Sequence, residues 1–404
     1  MRVSSNTIYD LTVAGINQQQ ARLLKTQQQI STGRKILTAS DDPVAAARAL
    51  EVSQSDAINT QYGVNRMSVR HTLSMAEGML QSVTSLLQDV RTAAVGAGNG
   101  LLNDTSRQSI ASDMSNRLQE LVGLANSTDG SGNFLFAGYQ SRTLPFAGTA
   151  AGMGYFGDDG QRLVQVSSSR QMAASESGAD IFMRVKNGNG TFVTQASAAN
   201  TGSGIASTGS VVDPTLLTGN NYSIAFSVVA GVTTYSVTNT TTATPVSAGT
   251  PYVSGQAISI DGMQFDIHGA PAHGDTFTVS PSVNESIFKT ISDMISVLNT
   301  PVPSGSASGA AQLAGGLQRG INNLDKALNN VLASQASMGL RLNELDALQS
   351  TGDDLGLQYK QTLSDLQDVD YNKAISDLTQ QQTYLQAAQQ TFAKVAGLSL
   401  FDYL

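Results

Sequence analysis

Cysteine is absent from the 404 residues, which removes disulfides, thiolate nucleophiles and thiolate metal sites together and suits a secreted chain that travels unfolded. Charge is scarce too. Only 13% of residues are Asp, Glu, Lys or Arg, against about a quarter in an average soluble protein, and Ser, Thr, Gln, Asn and Gly carry the polarity. The formal net charge is -8, so no basic field exists to hold a phosphate backbone, and nucleic acid is not an expected partner. No apolar run approaches the ~18 residues of a spanning helix, which argues against membrane insertion. Residues 1–20 lack a basic cap, an apolar block and a small-residue cleavage site, so no cleaved signal peptide is expected. The 40% hydrophobic content still allows one sizeable core or two to three smaller ones.

What is present is organised around a C-terminal helical arm from about Gly316. Leu317, Ile321, Leu324, Leu328, Val331, Gln335, Met338, Leu342 and Leu345 form one seam at steps of three and four. A glycine-containing break is expected at Gly352 and Gly356. The pattern resumes with Leu355, Tyr359, Leu363 and Leu366, then Tyr371, Ile375, Leu378, Gln382, Leu385, Ala388, Phe392 and Val395. A heptad face of this kind needs a partner helix.

Partners lie at the other end of the chain. Ile16, Leu23 and Ile30 stand seven apart among glutamines, a stripe too thin to hold an isolated helix in water. The glutamines read as a solvated helix face or as a polar wall lining an aqueous space inside an assembly. Gly33 stops this helix, and Asp41, Asp42 and Pro43 open the next, with an acidic cap and Pro at the first helical position. That helix should run to about Ala94 with Leu73, Ala76, Leu80, Val83, Leu87 and Val90 as its seam. Residues 99–103 turn the chain into a third helix carrying Ile110, Met114, Leu118, Leu121 and Ala125.

From Asn126 the character changes. Phe134, Leu135 and Phe136 read as a short strand, Gly157 to Gly160 as a hairpin turn before a strand at 162–167, and residues 222–229, 233–238, 257–260, 263–267 and 276–279 as further strands. Residues 194–208 read as a loop. Helical spacing returns at Ile287, Ile291, Met294, Ile295 and Leu298. The expected fold is therefore α+β: a long antiparallel helical bundle or coiled coil made from both chain ends, with an inserted all-β outer domain. The divisions are residues 1–40 with 360–404 as a terminal coiled-coil arm, 41–140 with 283–359 as a helical shell, and 141–282 as the β-rich insert.

Chemical sites are sparse. His268 and His273 lie near Asp275, but without a third positioned ligand turn chemistry explains them better than a metal. His71 reads as a surface or interhelical polar residue of a helix, and capping accounts for Asp41 and Asp42 better than acid catalysis does. Gly188, Asn189 and Gly190 form a turn lacking the lysine of a phosphate loop. No nucleophile–base constellation is visible, so neither an enzyme nor a cofactor is expected. Tyr155, Phe156, Tyr222 and Tyr252 could line a shallow sugar site in the insert, making an adhesin one alternative reading.

Arg2 to Thr7, Gln29 to Arg34 and Ser40 to Pro43 followed by Ala45 and Ala46 resemble the N-terminal region of bacterial flagellin-like axial proteins. Gln389 to Lys394 and Gly397 to Leu404, Phe134 to Tyr139, and Gly269 to Phe277 are similar to the hook–filament junction branch of that family. The close at Phe401 to Leu404 differs from that of filament-forming flagellin, which stays the nearest alternative. The resemblance implies export by a type III apparatus without signal cleavage, an extracellular position at the junction, and a ring of identical subunits. Implied partners are the hook-side junction protein (hook-associated protein 1), flagellin and an export chaperone. The assembly interface is expected at Ile16, Leu23, Ile30, Ile375, Leu378, Leu385, Phe392, Val395, Leu398, Leu400 and Phe401. These terminal stripes should order on docking, since alone they bury too little to offset their ordering entropy.

Overall fold

In the computed structural model, residues 5–100, 102–149 and 152–397 are described. Six α-helices bracket the strands: α1 (Ser5–Thr32), α2 (Pro43–Ala97), α3 (Asp104–Ala125), α4 (Ile287–Asn299), α5 (Ala307–Gln367) and α6 (Tyr371–Gly397). The chain divides into two compact units, one of residues 66–346 and the other of residues up to Asn65 together with those from Ala347 onward.

In the 66–346 unit the helices assemble because their apolar seams face one another. Leu73, Leu80, Val83, Leu87 and Val90 of α2 are buried, as are Met114, Leu118 and Leu121 of α3 and Ile287, Ile291, Met294 and Leu298 of α4. On α5 the buried residues Leu317, Leu324, Val331, Met338 and Leu345 stand seven apart, the spacing of a heptad seam. Arg91 Nε meets Asp325 at 2.7 Å, and Arg70 pairs with Asp346. The numbers fall on one helix as they rise on the other, so α2 and α5 run antiparallel. Arg117 of α3 reaches Asp89 of α2 at 2.7 Å, and α3 packs along α4.

Caps explain where these helices begin. Asn103 accepts the Ser106 amide at 2.8 Å, and Ser286 accepts that of Lys289 at 3.1 Å. Helix α5 starts at Ala307 rather than near Gly316, because the Ser306 hydroxyl accepts the Gly309 amide at 3.0 Å and holds the first turn despite its small residues.

The β part has two zones. Residues 192–281 form a five-stranded antiparallel sheet in the order Thr244–Pro251, Val232–Asn239, Tyr222–Val229, Thr276–Pro281, Phe192–Ala196, accompanied by the Ala257–Ile260 and Met263–His268 pair. Their inward alternation buries Tyr222, Ile224, Phe226, Ile258, Phe265, Ile267 and Phe277 in one core. Nearer the helices, the Leu163–Ser167 and Arg170–Ala173 strands make a hairpin. It is fastened to α5 by Arg170, whose Nε and Nη2 reach Glu344 at 2.6 and 2.8 Å, and by the Arg341–Glu176 pair. Buried Arg66 of α2 donates to the Val166 carbonyl at 3.0 Å.

Several expectations are corrected. Phe134 to Phe136 is not a strand: it touches Thr128 through a single bridge, and Phe136 is buried edge-on against Phe182 at 5.5 Å. Gly157 to Gly160 is not a hairpin turn. Asp158 Oδ1 instead accepts the Tyr139 and Gly160 amides, both at 2.8 Å, and the hairpin turns at residues 168–169. Within 194–208, a strand ends at Ala196 and a two-residue strand occupies Ile205–Ala206. Thr244–Pro251 went unread because it is an exposed edge strand bounded by prolines, where no apolar alternation is needed.

Candidate assembly surface of the terminal helices

Helices α1 and α6 pair along their lengths. On α1, Ile16, Leu23 and Ile30 are half-buried, and between them lie half-buried Gln19 and buried Thr26. On α6 the matching stripe is Ala374, Leu378, Gln381, Leu385, Ala388 and Phe392, of which only Ala374 is fully covered. Tyr9 and Phe392 stack obliquely with ring centroids 5.2 Å apart. Lower in the seam the Thr26 hydroxyl lies 3.1 Å from both the Arg22 carbonyl and the Gln381 amide. The seam thus alternates apolar and polar layers, and a buried polar layer fixes register at some cost in stability.

Two residues expected on this seam fall beside it. Ile375 is 53% exposed and Gln382 is exposed, because Ala374 and Gln381 occupy the facing positions one residue earlier. The helix break also lies elsewhere than expected. Gly352 and Gly356 sit inside continuous α5, where a glycine costs about 1 kcal/mol relative to alanine but does not end a long packed helix. Asn59 Nδ2 of α2 donates to the Gly352 carbonyl at 2.7 Å. The chain actually breaks at residues 368–370, where Asp370 accepts the Lys373 amide at 3.1 Å and restarts it as α6.

That break faces the α1 stop. The Lys35 amide donates to the Gln367 carbonyl at 2.6 Å and the Val369 amide to the Gly33 carbonyl at 2.9 Å, around an antiparallel bridge between Arg34 and Asp368. Gly33 has φ +70°, and a Cβ there would stand 3.0 Å from the Tyr371 hydroxyl. Both backbone conformation and the close approach favour glycine.

The acidic start of α2 divides its work. Asp42 Oδ1 accepts the Ala45 amide at 3.0 Å and is the cap, with Pro43 in the first turn. Asp41 instead accepts the Leu37 and Thr38 amides at 3.1 and 3.0 Å and pairs with Lys25 of α1 at 2.6 Å. The Lys25 hydrogen bond, helped by those amides, lowers its pKa to about 2. Sequence reasoning missed the Thr26–Gln381 layer and the Asp41–Lys25 tie. Thr12, Gln19 and Thr26, seven apart between the apolar positions, were the available signal for the first.

The arrangement leaves much apolar surface open. Leu11, Leu24, Leu357, Tyr371, Ile375 and Tyr384 are each more than half exposed in this unit. Gln18, Gln20, Gln27 and Gln28 form an exposed polar face on α1. Val395 lies within α6, whereas Leu398, Leu400 and Phe401 lie outside the described residues.

Other candidate chemistry disperses. The carboxylate of Asp275 accepts the Thr201, Gly202 and Ala272 amides at 2.8, 3.0 and 2.8 Å. His268 pairs with Asp266, and His273 Nδ1 accepts the Val228 amide at 3.3 Å. His71 is on the exposed side of α2. Of the four aromatics considered for a sugar site, Tyr222 is buried, Tyr155 lies 3.0 and 2.8 Å from the carbonyls of Phe136 and Asp158, and the Tyr252 hydroxyl lies 2.8 Å from the carbonyls of Ile267 and Gly269. Only Phe156 is exposed, so they form no common surface.

Paired terminal helices that flank a β insert in sequence have counterparts among known proteins. Residues 3–141 match the bacterial flagellin N-terminal helical region, and residues 321–404 match the C-terminal helical region. Flagellar hook-associated protein 3 of Salmonella typhimurium is 30% identical over 402 residues, covering 100% of this chain and 99% of that protein. The chain belongs to the flagellar hook-associated protein 3 family. Its counterpart in Escherichia coli is equally similar, at 30% identity over 402 residues with the same coverage. Two solved members of the hook-associated protein 3 family share the fold. Hook associated protein-3 of Legionella pneumophila gives a TM-score of 0.74 at 30% identity over 78% of this chain and 98% of that one. FlgL of Xanthomonas campestris gives 0.71 at 31% identity over 78% and 99%. Within the insert, residues 195–281 match the D2-like domain of flagellar hook-associated protein 1. These relatives are structural components of the flagellum.

Proposed function

We propose that this protein joins the flagellar hook to the filament as an extracellular ring of identical subunits. Residues 1–40 with 360–404 form the inner tube, 41–140 with 283–359 the surrounding helical shell, and 141–282 the outward insert. One edge of the ring meets hook-associated protein 1 and the other meets flagellin, and a chaperone carries the chain to the exporter.

The observation that carries this reading is the contrast between the two seams. Leu73, Leu80, Val83, Leu87 and Val90 are fully covered within their own chain, whereas Ile16, Leu23, Ile30, Leu378, Leu385 and Phe392 are only half covered by theirs. Completing the burial of a large side chain contributes roughly 1.5–3 kcal/mol at most. Several such side chains covered by neighbouring subunits offset the ordering of the arms. The test is Leu385→Asp: the urea midpoint of the monomer should stay unchanged while incorporation between hook-associated protein 1 and flagellin is lost. A large fall in monomer stability, or normal incorporation, would count against it.

A further inference from the structure

The geometry points to a ligand site that the assembly role does not use: the cleft between the β insert and helices α4 and α5 takes a small polyhydroxylated carboxylate, with Arg319 as its anion partner. The cleft has a volume of 410 Å³, and its polar lining includes Thr194, Gln195 and Thr208, the cations Lys289 and Arg319, and the acids Glu285 and Asp293. A second cavity of 250 Å³ is also lined by Thr194, Gln195 and Arg319. Together they lie within the size range of small-molecule sites.

Arg319 is half-buried, makes no hydrogen bond or ion pair among the described residues, and feels Asp293 and Glu285 only from longer range. Desolvation pulls its pKa below the usual arginine range. Both nearby carboxylates already have other partners. Glu285 Oε1 accepts the Thr290 hydroxyl at 2.9 Å and the Asn323 amide at 3.1 Å, and its Oε2 accepts the Asn187 amide at 3.3 Å. Asp293 is held by Lys289, one turn away on α4. A half-buried guanidinium facing a cleft keeps donors free for a ligand, and a carboxylate matches its planar fork with charge-assisted bonds. Thr194, Gln195 and Thr208 offer hydroxyl and amide groups to a ligand's hydroxyls, and Met294 and Val297 offer an apolar wall to its carbon skeleton.

The probe is sodium glucuronate added to the purified full chain, followed by saturation-transfer NMR and calorimetry, with glucose and acetate as controls. Saturable glucuronate binding is expected, with glucose and acetate each at least about tenfold weaker because each lacks half of the recognition. Arg319→Gln should weaken glucuronate at least about tenfold, and Arg319→Lys should restore part of the loss. Lys289→Glu alters a half-exposed side chain and should weaken binding through added negative charge if the Arg319 variants fold poorly. Undiminished binding to a folded Arg319→Gln chain, equal binding of acetate, or no saturable glucuronate signal would overturn the site.

Discussion

Asp41 is an acid whose position in sequence suggests a helix cap and whose contacts make it a tie between helices. Its pKa of about 2 is set first by Lys25 and then by the Thr38 and Leu37 amides. A carboxylate whose folded pKa lies below its unfolded value of about 3.9 contributes stability that is fully present above that value. The contribution is lost as pH falls from about 4 through about 2. Carbon-13 NMR titration should place the Asp41 midpoint near 2 in the wild type and move it back toward the ordinary carboxylate range in Lys25→Met. An unshifted wild-type midpoint would show that the tie does not persist in solution. Asp42 and Pro43 were legible as a helix start because capping is decided by neighbours in sequence. Asp41's tie to Lys25 was not, since the partner sits sixteen residues earlier on another helix.

At the scale of the element, periodicity announced the long helices but not where they break. The sevenfold spacing from Leu317 to Leu345 could be read directly because each position faces the same core. Gly352 and Gly356 misled because local propensity favours a break, while length and packing against α2 carry the helix through them. At Gly356 an added Cβ would meet Asn59 Nδ2 at 3.4 Å and Asp56 Oδ1 at 3.9 Å, ordinary contacts that need no rearrangement. Gly356→Ala should therefore gain up to about 1 kcal/mol of local helix stability. Slower amide exchange over residues 350–362, by up to about fivefold, is the readout. Faster exchange there would mean that the glycine relieves a crowded contact with α2. The true break at residues 368–370 depends on backbone pairing with residues 33–35, a contact across more than three hundred positions that no local pattern encodes.

The whole molecule couples two kinds of seam. In the 66–346 unit the chain supplies every layer of its own core, including the Phe146, Phe182 and Phe288 cluster, whose rings stand 5.4 to 6.0 Å apart. In the other unit α1 and α6 cover one another on one side and leave Leu11, Leu24, Ile375 and Tyr384 outward. Opening free energy follows buried apolar contact, so the two units should differ sharply in an isolated subunit. Amide hydrogen exchange on the purified monomer should show near-free exchange around residues 5–40 and 360–397 and strong protection around 66–125 and 285–346. After assembly with flagellin and hook-associated protein 1, the terminal residues should become protected while the inner helices change little. If α1 and α6 are already as protected in the monomer as Leu73 to Val90, the half-covered seam is sufficient by itself. Docking would then join folded subunits rather than complete their folding.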